Sequence, residues 1–154
     1  MRFAIFLLFV ASVSSCKKYL DPKYTYTLQA MEFKANNTNF IMDSCITYID
    51  SMRIDTSKKY SFFTHINGMK DADTVFTIRF FGKSIGNYDI GEYNQMRFKN
   101  PDTETRYFAQ SGKIVIYEWD NKLKQLSGNF SAQMVDTFGQ TQQIESGQFN
   151  NAKY

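Results

Sequence analysis

Several residue types that build common kinds of site are scarce in this 154-residue chain, which has two cysteines, two prolines, one tryptophan and one histidine. The histidine, His65, has no cysteine, histidine or acidic residue at a spacing typical of metal ligands. We therefore expect it to be structural or solvent-facing, and we predict no metal site and no cofactor. Two carboxylates at Asp71 and Asp73 are too few for a calcium loop and favour a polar hairpin turn.

An excess of charge of one sign is also missing. Without residues 1–15, which include Arg2, 17 Lys and Arg residues face 15 Asp and Glu residues. The basic residues are scattered, at most in pairs such as Lys17-Lys18. This balance offers no electrostatic footprint for nucleic acid, so we predict no nucleic-acid partner.

Only the N-terminus has a long apolar run. Arg2 precedes an apolar stretch that begins at Phe3, and small residues lead to Cys16. The stretch from Phe3 to Ser15 would span about 20 Å as a helix, whereas bilayer hydrocarbon is about 30 Å thick. The segment resembles a bacterial lipoprotein signal, which is cleaved before a lipidated cysteine. A plain secretory signal and an uncleaved anchor are the alternatives.

This signal divides the chain into a signal peptide at 1–15, a lipidated tether at 16–23 and a domain at 24–154. Lipid on Cys16 would leave Cys45 without a disulfide partner, which excludes a disulfide framework. Cys45 lies in an apolar stretch and is expected to be a buried small hydrophobe. Nothing in the spacing favours a catalytic pair with His65.

Aromatic residues are abundant, at 17% of the chain, and strand formers dominate after the signal. Thr74 to Phe81 alternates cleanly, with Phe76, Ile78 and Phe80 on one face and with Thr77 and Arg79 on the other. Turns are expected at 36–39, 67–68, 100–102, 111–112 and 120–121. The sequence predicts a single all-β domain, an antiparallel β-sandwich or flattened barrel of about eight to ten short strands.

The patterns of two further segments also predict strands. Cys45 to Met52 is ambiguous between helix and strand, and we expect an irregular or short strand there. Thr105 to Gln110 and Lys113 to Trp119 are predicted as two separate strands joined at Ser111-Gly112.

A short sequence motif is repeated near the C-terminus, as Ser127-Gly128-Asn129-Phe130 and again as Ser146-Gly147-Gln148-Phe149. A loop centred on Phe138-Gly139 would place Gly128 opposite Phe149 and Gly147 opposite Phe130, so that each ring covers a glycine. This register puts Ile144 and Phe149 on opposite faces, which predicts a bulge near Ser146-Gly147.

The segment 112–116, together with the two Ser-Gly-x-Phe motifs, resembles a family of lipoproteins from Bacteroidota-type Gram-negative bacteria, catalogued as a domain of unknown function. The resemblance implies a β-rich lipoprotein destined for the outer membrane and brings no catalytic residues. Surface export in such bacteria is associated with an acidic cluster after the lipidated cysteine. Lys17 to Asp21 departs from that pattern, which leaves the periplasmic and cell-surface faces both open.

The functional hypothesis is a lipid-anchored, non-enzymatic module that binds a partner or supports the envelope. Its partners would be the membrane, through Cys16, and an envelope protein or glycan. One alternative is an accessory protein of nutrient uptake that binds a glycan or a small apolar ligand, and another is a hydrolase with an unrecognised acidic site. No catalytic motif is present. Val115, Tyr117 and Trp119 are expected to share one face of a strand, where Tyr117 and Trp119 either bind a ligand or belong to the core.

Overall fold

The computed structural model describes residues 31–52 and 61–154, and all of the regular secondary structure in these ranges is β-strand. The strands are β1 (Met31–Ala35), β2 (Thr38–Ile41), β3 (Ser44–Met52), β4 (Ser61–Lys70), β5 (Asp73–Phe81), β6 (Gly86–Asp89), β7 (Gln95–Lys99), β8 (Arg106–Asp120), β9 (Gln125–Asp136) and β10 (Thr141–Lys153). The predicted all-β, single-domain fold is confirmed.

The strands belong to one ten-stranded sheet that curls back on itself. A ring of pairings runs β10-β3-β4-β5-β7-β8-β9 and returns to β10. All neighbours are antiparallel except β3 and β10, which run parallel and meet at Ile46 and Lys153. The sheet therefore forms a flattened barrel, which the pairing of β3 with β10 closes.

The interior is filled by aromatic rings that project from both walls. The Phe33 ring lies 4.7 Å from Phe76 and 5.2 Å from Phe98, and Phe76 lies 4.9 Å from Phe130, measured between centroids. These are the separations that aromatic pairs prefer. Phe33 comes from the β1–β2 hairpin, which pairs along β10, so this hairpin packs its ring against β5 and β7 across the core.

The paired glycine–phenylalanine register is confirmed. Gly128 lies opposite Phe149 and Gly147 lies opposite Phe130 in the β9–β10 ladder. The ladder shifts between Ile144 and Gly147, which confirms the predicted bulge and allows both Ile144 and Phe149 to be buried. Ser146 has a φ of 52° at this bulge, a left-handed conformation that lets the chain accommodate the extra residue.

Three local predictions are wrong. Residues 44–52 form a strand as expected, but the strand is regular and nine residues long, not irregular or short, because its ladder with β4 is unbroken. Asn67-Gly68 lies inside β4, and the turn is at Asp71-Ala72, where two consecutive positive φ angles of 50° and 69° suit a tight hairpin. The glycine at position 68 leaves room for the Met31 side chain, since a Cβ there would lie 2.7 Å from the Met31 sulfur.

The third error concerns β8, which is one fifteen-residue strand and not two strands. Gly112 does not end it: its φ of 146° and a ladder shift between Ala109 and Ser111 bend the strand while pairing with β9 continues. A Cβ at Gly112 would lie 2.3 Å from the Ser131 carbonyl oxygen, so close approach of β9 requires glycine. The predicted Asp71–Asp73 hairpin turn is confirmed.

The predicted signal peptide (1–15), the tether (16–23) and the first residues of the predicted domain (24–30) lie outside the described residues. Within residues 31–52 and 61–154, no helix has the length and apolar character needed to span a bilayer.

Candidate functional site

The two aromatic residues singled out in β8 are separated by a bulge. The β8–β9 ladder shifts between Ile116 and Glu118, at Tyr117. The Tyr117 side chain is 47% exposed, and its hydroxyl donates a 2.9 Å hydrogen bond to Asn150 Oδ1. Tyr117 is therefore on the outer surface, as expected if it contacts a ligand.

Trp119 occupies the other side of the sheet. It lies opposite the fully buried Leu126 and packs against the core, with its ring 5.3 Å from that of Tyr154. The expectation that Val115, Tyr117 and Trp119 share one face is wrong, because one extra residue in a strand reverses the side-chain alternation that follows.

Cys45 and His65 also point in opposite directions from neighbouring strands. Cys45 is a free cysteine in the core cluster, and burial raises the pKa of its thiol to about 12. The predicted buried small hydrophobe is confirmed. His65 is on the outer face of β4, and the residue opposite Cys45 is Gly68.

A concave part of the described surface lies on the outer side of β3, β4, β5 and β7. Ladder partners Tyr48, His65, Arg79 and Gln95 form one row across these four strands. A cavity of about 580 Å³ lies over them, within the range of small-ligand sites. We call this surface the arginine face, defined by Tyr48, Asp50, Phe63, His65, Thr77, Arg79, Gln95 and Arg97.

Arg97 lies beside Arg79 because β7, and not β6, is the neighbour of β5 in the sheet. The chain crosses to pair β6 with β8 and then returns as β7 beside β5. Asn94 holds this return: its Oδ1 accepts a 2.8 Å hydrogen bond from the Phe81 amide, and its Nδ2 donates to the Asp89 carbonyl at 2.8 Å. Thr77 is then the ladder partner of Arg97.

Arg79 is packed against an aromatic ring that faces outward. Phe63 is on the outer side of β4 yet is only 1% exposed, and the Arg79 guanidinium carbon lies 4.2 Å above its centroid. The Arg79 Nε is buried and has no hydrogen-bond partner among the described residues.

His65 forms the other half of the row. Its ring stacks on that of Tyr48 with a centroid distance of 4.5 Å and an interplanar angle of 8°. Its Nε2 lies 3.6 Å from Asp50 Oδ2. Burial and the nearby Arg79 charge lower the pKa of His65, while Asp50 opposes them, and the pKa stays below its usual 6.5. The imidazole is therefore mainly neutral at pH 7.

The charge of the arginine face is positive at neutral pH. Among described residues, Lys99 forms an ion pair with Glu104, the neutral His65 contacts Asp50, and neither Arg79 nor Arg97 has a carboxylate within 4.0 Å. Arg97 is exposed, with its guanidinium carbon 5.7 Å from the Phe108 ring centroid. Among the described residues that line this cavity, Asp50 supplies the one carboxylate.

The model of a family described as "Domain of unknown function (DUF6252)" matches residues 50–153. The chain belongs to the DUF6252 family. This confirms the expected membership of a family of unknown function. No curated protein and no solved structure matches the chain.

The DUF6252 match covers most of the arginine face, from Asp50 to Arg97, while Tyr48 and the β1–β2 hairpin precede it. Sequence reasoning placed Thr77 and Arg79 on the outer side of β5, which is confirmed by the burial of Phe76, Ile78 and Phe80. It did not bring Arg79 together with Arg97, His65 or Tyr48. The sequence signal for this site was Arg79 itself, an arginine within a strand whose polar and apolar residues alternate strongly.

The described surface of the DUF6252 domain has further cavities. A second cavity of about 430 Å³ lies at the β10 bulge, beside Gly147 and Lys113. Among residues 31–52 and 61–154, no three His, Cys, Asp or Glu side chains cluster as metal ligands would. Charge, aromatic rings and concavity also coincide in a cavity of about 240 Å³ that Arg97 shares with Lys99, Arg106 and Phe108, and the arginine face is the larger of these two sites.

Proposed function

We propose that this DUF6252 protein is a lipid-anchored, non-enzymatic binding domain of the cell envelope, and that the arginine face is its binding surface. The observation that carries this proposal is the packing of Arg79 over the outward-facing Phe63 in a cavity of about 580 Å³. A concave surface that holds a cation and an aromatic ring in one place offers a partner both charge and apolar contact.

The interior of the barrel is a weaker candidate for ligand binding. Its centre is occupied by Phe33, Phe76, Phe98 and Phe130, whose rings are in mutual contact. A small apolar ligand would have to displace these rings, whereas the arginine face is already open to solvent.

The chemistry of the arginine face favours binding over hydrolysis. Most glycosidases use two carboxyl groups, one on either side of the scissile bond, and Asp50 is the one carboxylate among the described residues that line the cavity. Cys45 points into the core with a raised pKa and offers no nucleophile to this surface. Arginine and tyrosine are, by contrast, the residue types that dominate binding energy at interfaces.

The anchor is proposed from Cys16 and the apolar run before it. Acyl groups on Cys16 would hold the domain at the outer membrane, where a high local concentration compensates for modest intrinsic affinity. Whether the domain faces the periplasm or the exterior depends on how the protein is exported and not on the domain itself.

Fractionation of cells that express the full-length chain tests the anchor. Cys16→Ala should move the protein from the membrane fraction to the soluble fraction, because the acylated thiol is lost. Cys45→Ala is the matched control and should remain in the membrane fraction. Membrane retention of Cys16→Ala equal to that of the natural chain would show that the anchor is not this cysteine.

A glycan array tests the binding surface, using the full-length protein solubilised in a non-ionic detergent. Tyr48→Ala should abolish any retention, because it removes the exposed ring beside His65. Tyr117→Ala, which removes another exposed tyrosine on a different part of the surface, should leave retention unchanged. Retention that depends on Tyr117 and not on Tyr48 would place the site on β8 and refute the proposal.

A further inference from the structure

We propose that the cavity of about 240 Å³ on the outer side of β5, β7 and β8 binds a phosphate monoester, held by the cations that line it. We call these three side chains, Arg97, Lys99 and Arg106, the cation cluster. The site goes beyond the proposed function, because its lining shares only Thr77 and Arg97 with the arginine face. Three observations carry it: opposed like charges, a cavity lining without carboxylates and an exposed aromatic ring beside the cations.

The first observation begins with the placement of the cation cluster in the sheet. Lys99 lies directly opposite Arg106 in the β7–β8 ladder, and Arg97 lies opposite Phe108. Directly opposed side chains have Cβ atoms about 4.5–5.5 Å apart, and diagonal positions such as those of Arg97 and Arg106 are about 7–8 Å apart. The Arg97 guanidinium carbon is 5.7 Å from the Phe108 ring centroid, so it leans toward β8, the strand that carries Arg106. All three cations line the same cavity.

Like charges in directly opposed positions destabilise a sheet. Glu104 offsets part of the repulsion through a 2.7 Å ion pair with Lys99, whereas Arg97 and Arg106 have no carboxylate within 4.0 Å among the described residues. Three cations and one carboxylate leave an excess of two positive charges. A phosphate monoester carries about 1.5 to 2 negative charges at neutral pH, so it matches this excess, whereas a single carboxylate neutralises half of it.

The second observation is the lining of the cavity. Among the described residues that line it, none is acidic, so an anion meets no opposing charge there. Val75 is on the outer side of β5, because it alternates with the core residue Phe76, and yet it is only 3% exposed. It therefore gives the cavity a packed apolar wall, and walls of low dielectric strengthen the field of nearby charges. The volume is below the range of about 300–1,000 Å³ for larger ligands and suits a small anion.

The third observation is the ring beside the cations. Phe108 lines the cavity and is 42% exposed, so it offers apolar contact next to the charges. An inorganic phosphate would leave this ring unused, whereas the organic part of an ester would cover it. The ligand class is therefore an organic phosphate. Its source is either a small soluble ester or the headgroup of a lipid, which the anchor proposed at Cys16 would keep nearby.

Isothermal titration calorimetry on the full-length protein in a non-ionic detergent tests the proposal. The probes are phenyl phosphate, benzoate and dioctanoyl phosphatidic acid in mixed micelles. Benzoate has the same ring and one negative charge, so phenyl phosphate should bind at least about 10-fold more tightly. Phosphatidic acid presents the phosphate as a lipid headgroup. Tighter binding of phosphatidic acid than of phenyl phosphate assigns a lipid source, and equal or weaker binding assigns a soluble ester.

Arg106→Gln assigns the contact to the cation cluster, because Arg106 is exposed and lies outside the arginine face. It should weaken the binding of phenyl phosphate at least about 10-fold, since it removes a charged hydrogen-bond donor. Lys122→Gln is the matched control, which removes equal charge from the turn after β8 and should leave the affinity unchanged. Tyr48→Ala, which tests the arginine face, should also leave the affinity for phenyl phosphate unchanged.

Thermal unfolding tests the opposed charges. Phenyl phosphate at about ten times its Kd should raise the Tm of the natural chain by about 3 °C or more, because it binds the folded state. Arg106→Gln should lose this shift. Without ligand, its Tm should equal or exceed that of the natural chain, since the substitution relieves the repulsion with Lys99. A residue with a purely structural role would instead lower the Tm when it is replaced.

The outcomes are distinguishable from those for the proposed function. No binding of either phosphate probe, or binding that Arg106→Gln leaves unchanged, overturns the phosphate site. Benzoate binding as tight as that of phenyl phosphate shows that one charge and a ring suffice, which overturns the assignment to a phosphate. A lower Tm of Arg106→Gln without ligand contradicts the opposed charges. None of these results affects the proposed function, which depends on Tyr48, and a failure of the Tyr48→Ala test leaves the phosphate site standing.

Discussion

Replacing Gly147 with alanine should destabilise the domain through one identifiable collision. A Cβ at this position would lie 2.4 Å from Cε2 of Phe130 and 2.6 Å from two further atoms of the same ring. Carbon atoms in contact are normally about 3.5–4.0 Å apart, so the ring would have to move by about 1 Å or more. Gly147 does not have a left-handed φ, so the expected effect is steric and not backbone strain.

The Phe130 ring has little room to make this movement. It is 3% exposed and lies between Phe76, at 4.9 Å, and Phe149, at 6.3 Å. Overpacking of a dense core typically costs about 1–3 kcal/mol. For a domain of this size, that corresponds to a fall in Tm of about 3–12 °C.

The assay is urea unfolding followed by far-UV circular dichroism, with the free energy of unfolding obtained by linear extrapolation. Gly91→Ala is the matched control, because a Cβ there would have no neighbour within 4 Å. We expect the control to change the free energy by less than about 0.5 kcal/mol.

A double-mutant cycle shows whether the Phe130 ring is the cause. Phe130→Leu removes the Cε2 and Cζ atoms that the new methyl group would strike, so the pair should be less destabilised than the two single effects added together. We expect a coupling of about 1 kcal/mol or more. A stable Gly147→Ala variant, or strictly additive effects in the cycle, would refute the collision.

Two further predictions concern titratable groups. The folded state lowers the pKa of His65 below its usual 6.5, mainly by burial, so the unfolded chain binds more protons below about pH 6.5. This contribution to stability is complete above pH 6.5 and is lost as the pH falls through the folded pKa. His65→Gln should flatten that part of the urea stability profile between pH 5 and 8, and parallel profiles for the two proteins would contradict the assignment. Cys45, with a pKa raised to about 12, should resist iodoacetamide at pH 8 when folded and react in urea. Rapid alkylation of the native protein, measured by mass spectrometry, would show that the thiol is accessible.

Local patterns were sufficient for much of the fold. Alternation in β5 identified its buried face, and the repeated Ser-Gly-x-Phe motifs led to the observed β9–β10 register, including the bulge that buries both Ile144 and Phe149. These inferences succeeded because side-chain alternation and glycine–aromatic pairing act over one or two neighbouring strands.

Local patterns failed where a single residue changed the geometry. The bulge at Tyr117 reverses the alternation in β8, so Trp119 joins the core and the predicted shared face does not exist. The bend at Gly112 was interpreted as a turn because a positive φ suits both structures. Whether the chain turns or continues depends on β9, which lies alongside and keeps β8 paired on both sides of the bend.

The sequence by itself determined the all-β class, the alternation of β5 and the register of the last hairpin, because these follow from local periodicity and from residues close along the chain. Tertiary structure alone decided that β7, and not β6, lies beside β5, and therefore that Arg97 stands next to Arg79. Strand order depends on the packing of the whole barrel, and no local pattern encodes it. The arginine face is a product of that order, which is why its residues were not recognised as a site before the strands were assembled.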